Sequence, residues 1–553
     1  MSTPSVPTRG TSPPGAGNSS PPDGAEPPIH DVVVVGAGIG GIYAVHRFAE
    51  QGLSVVGVEG APGVGGVWYH NRYPGARVDL EGIYYSYLDP KLYRAWEWKE
   101  RYPSQPELLA YLNFAADTWD VKRLYHFNTW VTGADWDPTS HCYTIRTDTG
   151  LTLRARFLVM ATGPLSKPRE PKFPGLDSFR GEWVLTARWP DRPVATEGKR
   201  IGVIGTSATG VQVIPVLAKQ ASHLYVFQRT ANYSVPAQNG PMDQKRMREH
   251  MDRVEQLWKE VLRHPGGTDL PLGVAPAKSL SEEERRRVLE ERWAYGGHAM
   301  QQVFTDQGTD IESNEIVAEF VRSKIREIVK DPVLAEKLTP REYPIGTRRL
   351  CVDTGYYETF NRDNVTLVDI KADPIERITP TGIQTRSTHI ELDLIVFATG
   401  FEAFVGSLYP AHIRNEAGKE LSDYWSRGPS TYLGLMVHGL PNLFLMTAPG
   451  SPSVLANFFP TSMYQADFIG DLIEHMRRSG LTRVEPAAEA ERAWNEFVAE
   501  AAQPLIRLQV QNYMVHVNPD GSRVMWPYPG GLNTYVQRCD EIRANGFTGF
   551  VFS

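Results

Sequence analysis

Apolar positions along this chain fall into short unbroken runs, each followed by a glycine-rich turn and then by apolar residues spaced three and four apart. The first such passage is "HDVVVVGAGIGGIYAVHRFAEQGLSVVGVEG", in which Val32 to Val35 form a continuous apolar run. A strand covered on both faces reads this way. The stretch "IYAVHRFAEQG" has helical spacing, and "LSVVGVE" predicts a second strand. The pattern returns in "GKRIGVIGTSATGVQVIPVLAKQASHLYVFQRTANY", with a strand over Ile201 to Ile204, a helix after Gly210 and a strand in "HLYVFQR". Two more apolar runs, "RFLVMATGP" and "DLIVFATGF", each end in Ala-Thr-Gly. From "PMDQKRMREHMDRVEQLWKEVL" through "EIVKDPVLAEKL" the pattern turns charged and helical, and Ser281 with Glu284 has capping-box spacing.

Strand–turn–helix–strand units of this kind predict an α/β fold with parallel sheets. The turns carry chemistry. Gly36, Gly38 and Gly41 spell GxGxxG. The first glycine permits the tight turn, the second lets the backbone approach a pyrophosphate, and the third lets helix and strand pack closely. The helix N-terminus aims N–H donors at the phosphates. Glu59, 18 residues beyond Gly41, is placed to accept from a ribose hydroxyl, which suits FAD or NAD. The second turn, Gly205-Thr206-Ser207-Ala208-Thr209-Gly210, has serine at the middle glycine position. Its following strand ends in Gln228-Arg229-Thr230 rather than in an acid, and Arg229 suits a 2′-phosphate, hence NADPH. Two Rossmann-like dinucleotide-binding domains are therefore expected, one for a flavin and one for a nicotinamide, with the Ala-Thr-Gly strands marking the passages between them.

The length of 553 residues supports several domains. The expected division is a Pro/Gly/Ser-rich disordered tail over 1–28, an FAD-binding domain over 29–165 and 385–553, an NADPH-binding domain over 166–240 and 341–384, and a helical insert over 241–340. The net charge of −7 argues against a nucleic-acid partner. The absence of any apolar run of membrane-spanning length argues against a membrane one. Three cysteines without a CxxC pair support neither a disulfide framework nor a thiolate metal site, and no metal is expected. A cytoplasmic monomer is the expectation. Two cradles with no redox cysteine pair imply a pyridine-nucleotide-driven flavin monooxygenase or oxidase.

Longer motifs then narrow the reading. "GVGGVWYHNRYPGARVD", "FRGEWVLTARWP", "YPIGTRRLCVDTGYYETFNRDNV", "APGSPSVLANFF" and "MWPYPGG" occur in an order that resembles the type I Baeyer–Villiger monooxygenases, closest to the branch acting on phenylacetone and steroid ketones. The likeness runs from about residue 29 to the end. It implies FAD at the first cradle and NADPH at the second, with O₂ and a small-molecule ketone as co-substrates. In the family the reduced flavin adds O₂ at C4a, and the peroxyflavin attacks a ketone to give an ester or lactone. A cyclic or polycyclic, terpenoid- or steroid-like ketone of secondary metabolism is implied. The resemblance assigns Arg349 to stabilise the reacting anion and Asp79 to hold that arginine. It assigns Val67, Trp68, Tyr69, His70, Tyr85, Val131 and Phe458 to the flavin. Arg77 and Arg348 go to the NADPH, with Thr206, Ser207 and Thr230, and Ser453, Val454 and Leu455 to the substrate pocket.

Two positions depart from the family. The fingerprint FxGxxxHxxxW(P/D) is matched by Phe179, Gly181, Trp189 and Pro190, but Leu185 stands at its histidine. Leucine can neither donate nor accept a hydrogen bond. Asn512 stands where the family often has tryptophan in a loop closing over NADP. Neighbouring packing is expected to hold the linker around Leu185. A flavin monooxygenase oxygenating nitrogen or sulfur, and a catalytically silent NADPH-binding homologue, are the alternatives.

Overall fold

The structure is a computed structural model, and it describes residues 27–518 and 520–553. All but the last two residues of the expected tail lie outside the described residues. Two sheets organise the chain, the first mixed and the second all parallel. In the first, Ile29–Val35 lies between Val55–Val58 and Thr152–Met160, with Tyr125–His126 beyond Val55–Val58. Val32 to Val34 are fully buried, as the unbroken apolar run predicts. The outer edge of Thr152–Met160 serves two partners. Residues 152–155 pair antiparallel with Cys142–Thr147, and residues 158–160 pair parallel with Leu443–Leu445. The C-terminal part of the chain thus completes the sheet begun at residue 29.

The second sheet has five parallel strands in the order Val365–Asp369, His223–Gln228, Arg200–Ile204, Leu394–Phe397, Glu182–Leu185. The boundary expected at residue 385 is therefore corrected. Leu394–Phe397 pairs with Ile201–Ile204 and Glu182–Leu185, so its backbone bonds belong to the second sheet. The apolar run "DLIVF" looked the same as "RFLVM" in sequence, and only the pairing tells them apart.

The helical insert has no core of its own. Met247, Val254, Leu257 and Val261 join the cluster beneath the first sheet. Val288, Leu289, Val317 and Val321 join the cluster of the second. The helix Glu282–Tyr295 starts with the Ser281/Glu284 capping box. Arg246 of the insert donates to buried Glu81 at 2.6 Å, and Arg101 reaches the same carboxylate at 2.7 Å, which pins the segment carrying Asp79. No helix among the described residues is long and apolar enough to cross a membrane.

Candidate active site

Each cradle is built where an inner strand of its sheet, Ile29–Val35 or Arg200–Ile204, turns into a helix. Gly36 and Gly205 adopt φ of 109° and 112°, a region that only glycine enters without strain. A Cβ on Gly36 would lie 2.6 Å from the Ala161 carbonyl oxygen, and one on Gly205 would lie 2.4 Å from that of Ala398. These two alanines open the Ala-Thr-Gly motifs. Their N–H groups bond the carbonyls of Val35 and Ile204, so each motif is stapled under its own cradle. At the third glycines, a Cβ on Gly41 would meet the Gly36 oxygen at 1.8 Å, and one on Gly210 the Gly205 oxygen at 2.1 Å. The packing reason for these glycines is met in both copies, and both cradles fit a dinucleotide.

The helices Ile39–Glu50 and Ala208–Gln220 point their N-termini into one continuous cavity of about 1510 Å³. At the first cradle Glu59 is buried and accepts from Ala37 N at 2.6 Å and Ala61 N at 2.7 Å. Burial pushes its carboxyl up, against those two bonds. At the second, Arg229 stands exposed on the wall with no carboxylate partner among the described residues. Arg348 also lines the cavity, its guanidinium 4.3 Å from the Tyr343 ring centre, and it too lacks a carboxylate. Arg77 reaches the wall, but its charge is taken up by Glu100 at 2.8 Å. Unpaired guanidinium groups facing a cavity beside a helix N-terminus fit phosphates.

The chemistry converges where Asp79 meets Arg349. Arg349 donates from Nε to Asp79 Oδ2 at 2.8 Å and from Nη2 to Oδ1 at 2.9 Å, a two-pronged clamp across 270 residues of chain. Its Nη1 donates to the Val454 carbonyl at 2.9 Å. Burial alone would raise the Asp79 carboxyl, but Arg349 and then His298 hold it well below the ordinary carboxylate range. The same pairing holds Arg349 above its usual value against the opposing effect of burial. Asp79 begins no helix. Trp68 donates to the Tyr85 hydroxyl at 3.1 Å beside this pair. His70 is pushed down to about 4, by burial first and then by Arg188 and Arg72, so it is neutral at pH 7.

Most of the expected residues share this cavity. Val67, Trp68, His70, Asp79, Tyr85, Val131, Thr206, Ser207, Thr230, Val454 and Phe458 are on its wall. Others are not. Ser453 turns inward and donates to the Thr447 carbonyl at 2.8 Å, and Leu455 packs against the apolar group around Met525. Tyr69 is off the wall, with Arg72 4.6 Å from its ring centre. Phe179, Gly181, Leu185, Trp189 and Pro190 do not line it either, although Arg188 between them does. Gly181 is explained by the 2.6 Å that would separate its Cβ from the Asp393 carbonyl oxygen. Asn512 is on the wall and satisfies its own loop, with Oδ1 accepting from Met514 N and Nδ2 donating to the Val510 carbonyl, each at 2.8 Å. Sequence reasoning missed His298, Arg188 and Tyr513, for which no local pattern signals a role.

The pattern of the pyridine nucleotide-disulphide oxidoreductase family matches residues 30–329. All three cysteines are buried and free, so the likeness lies in the nucleotide cradles and not in a disulfide. The 2-oxo-Δ3-4,5,5-trimethylcyclopentenylacetyl-CoA monooxygenase of Pseudomonas putida is 41% identical over 95% of this chain and 99% of its own. A Baeyer–Villiger monooxygenase of Pseudooceanicola batsensis is 40% identical over 94% of this chain and 96% of its own. The chain belongs to the Baeyer–Villiger monooxygenases. Among solved structures, oxidized steroid monooxygenase bound to NADP superposes on this Baeyer–Villiger enzyme with a TM-score of 0.91 at 45% identity, covering 95% of this chain and 99% of that one.

Proposed function

We propose that this Baeyer–Villiger monooxygenase oxygenates a bulky cyclic or polycyclic ketone, with Arg349, held by Asp79, as the residue that stabilises the reacting anion. The enzyme uses FAD and NADPH. Overall, ketone, O₂, NADPH and a proton give an ester or lactone, water and NADP⁺. Bound FAD supplies the two-electron and O₂ chemistry. The residues of this chain bind, orient and polarise.

One observation carries the reading. Of the five N–H hydrogens of Arg349, Asp79 takes two and the Val454 carbonyl takes one. Of the remaining two, the one on Nη2 is directed at His298 Nε2 at 3.4 Å, which leaves one on Nη1 of a guanidinium that lines the cavity. A clamped cation with a spare donor is the device that stabilises charge developing on a carbonyl oxygen, because it need not reorganise during the reaction. Around it, Val454 and the flavin-side residues Trp68, Tyr85 and Phe458 give a largely apolar wall. The ring ketone and the steroid in the names of two relatives support the substrate class.

The test is a panel of cyclic and polycyclic ketones assayed with the purified enzyme for NADPH oxidation above the ketone-free rate, with products identified by mass. The expected product carries one added oxygen. Arg349→Ala should lower ester formation by about 10²- to 10³-fold while NADPH still reduces the flavin. Ester formation at the wild-type rate in that variant would remove Arg349 from the role, and acyclic ketones outperforming every ring ketone would overturn the substrate class.

A further inference from the structure

Arg349 and Asp79 have a third partner that neither motif contains. His298 Nε2 lies 3.2 Å from Asp79 Oδ2 and 3.4 Å from Arg349 Nη2. The side chain is 4% exposed, and it comes from the short 3₁₀ helix Gly297–Gln302 of the helical insert. The backbone holds it there. Gly296 and Gly297 have φ of 84° and 57°, consecutive positions in the region that favours glycine. A Cβ on Gly297 would sit 2.1 Å from the Tyr102 hydroxyl, and one on Gly296 would sit 2.8 Å from the Ala237 carbonyl oxygen. The turn is therefore wedged between segments belonging to both sheets' domains, and His298 is aimed at the pair by that wedge.

The position of the ring hydrogen follows from its neighbours. A carboxylate only accepts and a guanidinium only donates. With the hydrogen on Nδ1, the bare Nε2 lone pair would face Asp79 Oδ2 at 3.2 Å, acceptor against acceptor. The buried Nδ1, which has no hydrogen-bond partner among the described residues, would then be an orphaned donor. With the hydrogen on Nε2, His298 donates to Asp79 and only a bare acceptor is left over. Arg349 Nη2 also directs an N–H at Nε2 across 3.4 Å, so this one ring nitrogen touches both members of the pair.

We infer that His298 is a positioning residue for the oxygenation step, holding the Asp79 carboxylate and the Arg349 guanidinium against each other so that the clamp keeps its place at the cavity. Asp79 receives two bonds from Arg349, and His298 Nε2 lies against both partners, 3.2 Å from Asp79 Oδ2 and 3.4 Å from Arg349 Nη2. Only one nitrogen of His298 finds a partner, which is why a side chain of similar length with an N–H at its tip should replace it. The inference rests on the role proposed for Arg349.

The experiment compares His298→Gln, which keeps a donor at similar reach, with His298→Met, which has similar length and no donor. Ester formed per NADPH consumed, ketone KM and kcat, and anaerobic flavin reduction by NADPH are measured at matched FAD content. His298→Met should lose about 10-fold in ester per NADPH, with flavin reduction within about twofold of wild type, as expected for one hydrogen bond to a charged group. His298→Gln should recover most of that loss. If His298→Met couples as well as wild type, or if His298→Gln is as poor as His298→Met, the inference falls. Should His298→Met not fold with FAD, His298→Asn takes its place, since its shorter amide cannot span the gap; equal coupling in the Asn and Gln variants would be equally fatal. Arg349→Ala runs alongside. If it still makes ester, the reading of Arg349 fails; if it loses ester while His298→Met keeps it, only the inference about His298 fails.

Discussion

The two cradles have nearly the same backbone and carry different chemistry. The first glycines match at φ 109° and 112°. The middle positions match as well, Gly38 at φ −82°, ψ −167° and Ser207 at φ −87°, ψ −170°. Each is stapled from beneath by an Ala-Thr-Gly strand end. They part at the end of the next strand. Glu59 is folded into its cradle by two backbone N–H bonds, whereas Arg229 stands free on the cavity wall. The first and third glycines are thus demanded by the protein itself, and the residue at the strand end is structural in one copy and available only to a ligand in the other.

Exchanging each strand-end residue for alanine should separate those roles by a wide margin. Glu59→Ala strands two backbone N–H groups in a buried turn, at about 1–3 kcal/mol each, so unfolding in urea should show a loss of roughly 2–6 kcal/mol even without FAD. Arg229→Ala should change stability by less than about 0.5 kcal/mol and raise the KM for NADPH about 10- to 100-fold. NADH turnover should be left alone. Equal destabilisation by the two variants would break the contrast.

The same contrast explains what could be read in advance. The strands, the glycines and the Ser281 capping box are local patterns whose physics acts within a few residues, and the folded chain repeats them. Asp79 and Arg349 stand 270 residues apart and were paired only through a family likeness. His298 carries no such signal, because its role comes from a glycine-built turn meeting two other segments. Leu394–Phe397 falls on the far side of the boundary expected at residue 385, because burial on both faces produces the same apolar run in either sheet. Ser453 and Leu455 were expected at the substrate pocket and are off the cavity wall. Their neighbour Val454 lines the cavity, and adjacent residues in a tight turn face different ways.

Leu185 lies at the edge of the second sheet, opposite Phe397 and packed in one apolar group with Ile204, Phe227 and Ile395. The linker is held by its neighbour, since Thr186 donates to the Phe397 carbonyl at 3.1 Å. Leu185→His would place an imidazole among apolar side chains, and should cost about 1–3 kcal/mol with no gain in ester formed per NADPH. Thermal melting and a coupling assay read the two effects. A variant as stable as wild type and better coupled would show that this edge of the sheet serves NADPH directly.

The smallest expected effect concerns the middle position of the second cradle. Because Ser207 has negative φ, no strain demands glycine there, and because its hydroxyl makes no cap bond, the helix Ala208–Gln220 loses little without it. Ser at an N-cap exceeds Gly by only a few tenths of a kcal/mol even when it does cap. Ser207→Gly should therefore leave the melting temperature within about 1 °C of wild type, a shift that corresponds to a few tenths of a kcal/mol. The KM for NADPH should move by no more than about twofold, since a cradle that accommodates serine already has room for the ligand. A tenfold fall in KM would mean that the serine hydroxymethyl group holds the pyrophosphate away from the helix N-terminus. The two cradles would then differ in how closely they grip a phosphate as well as in the residue that ends the strand.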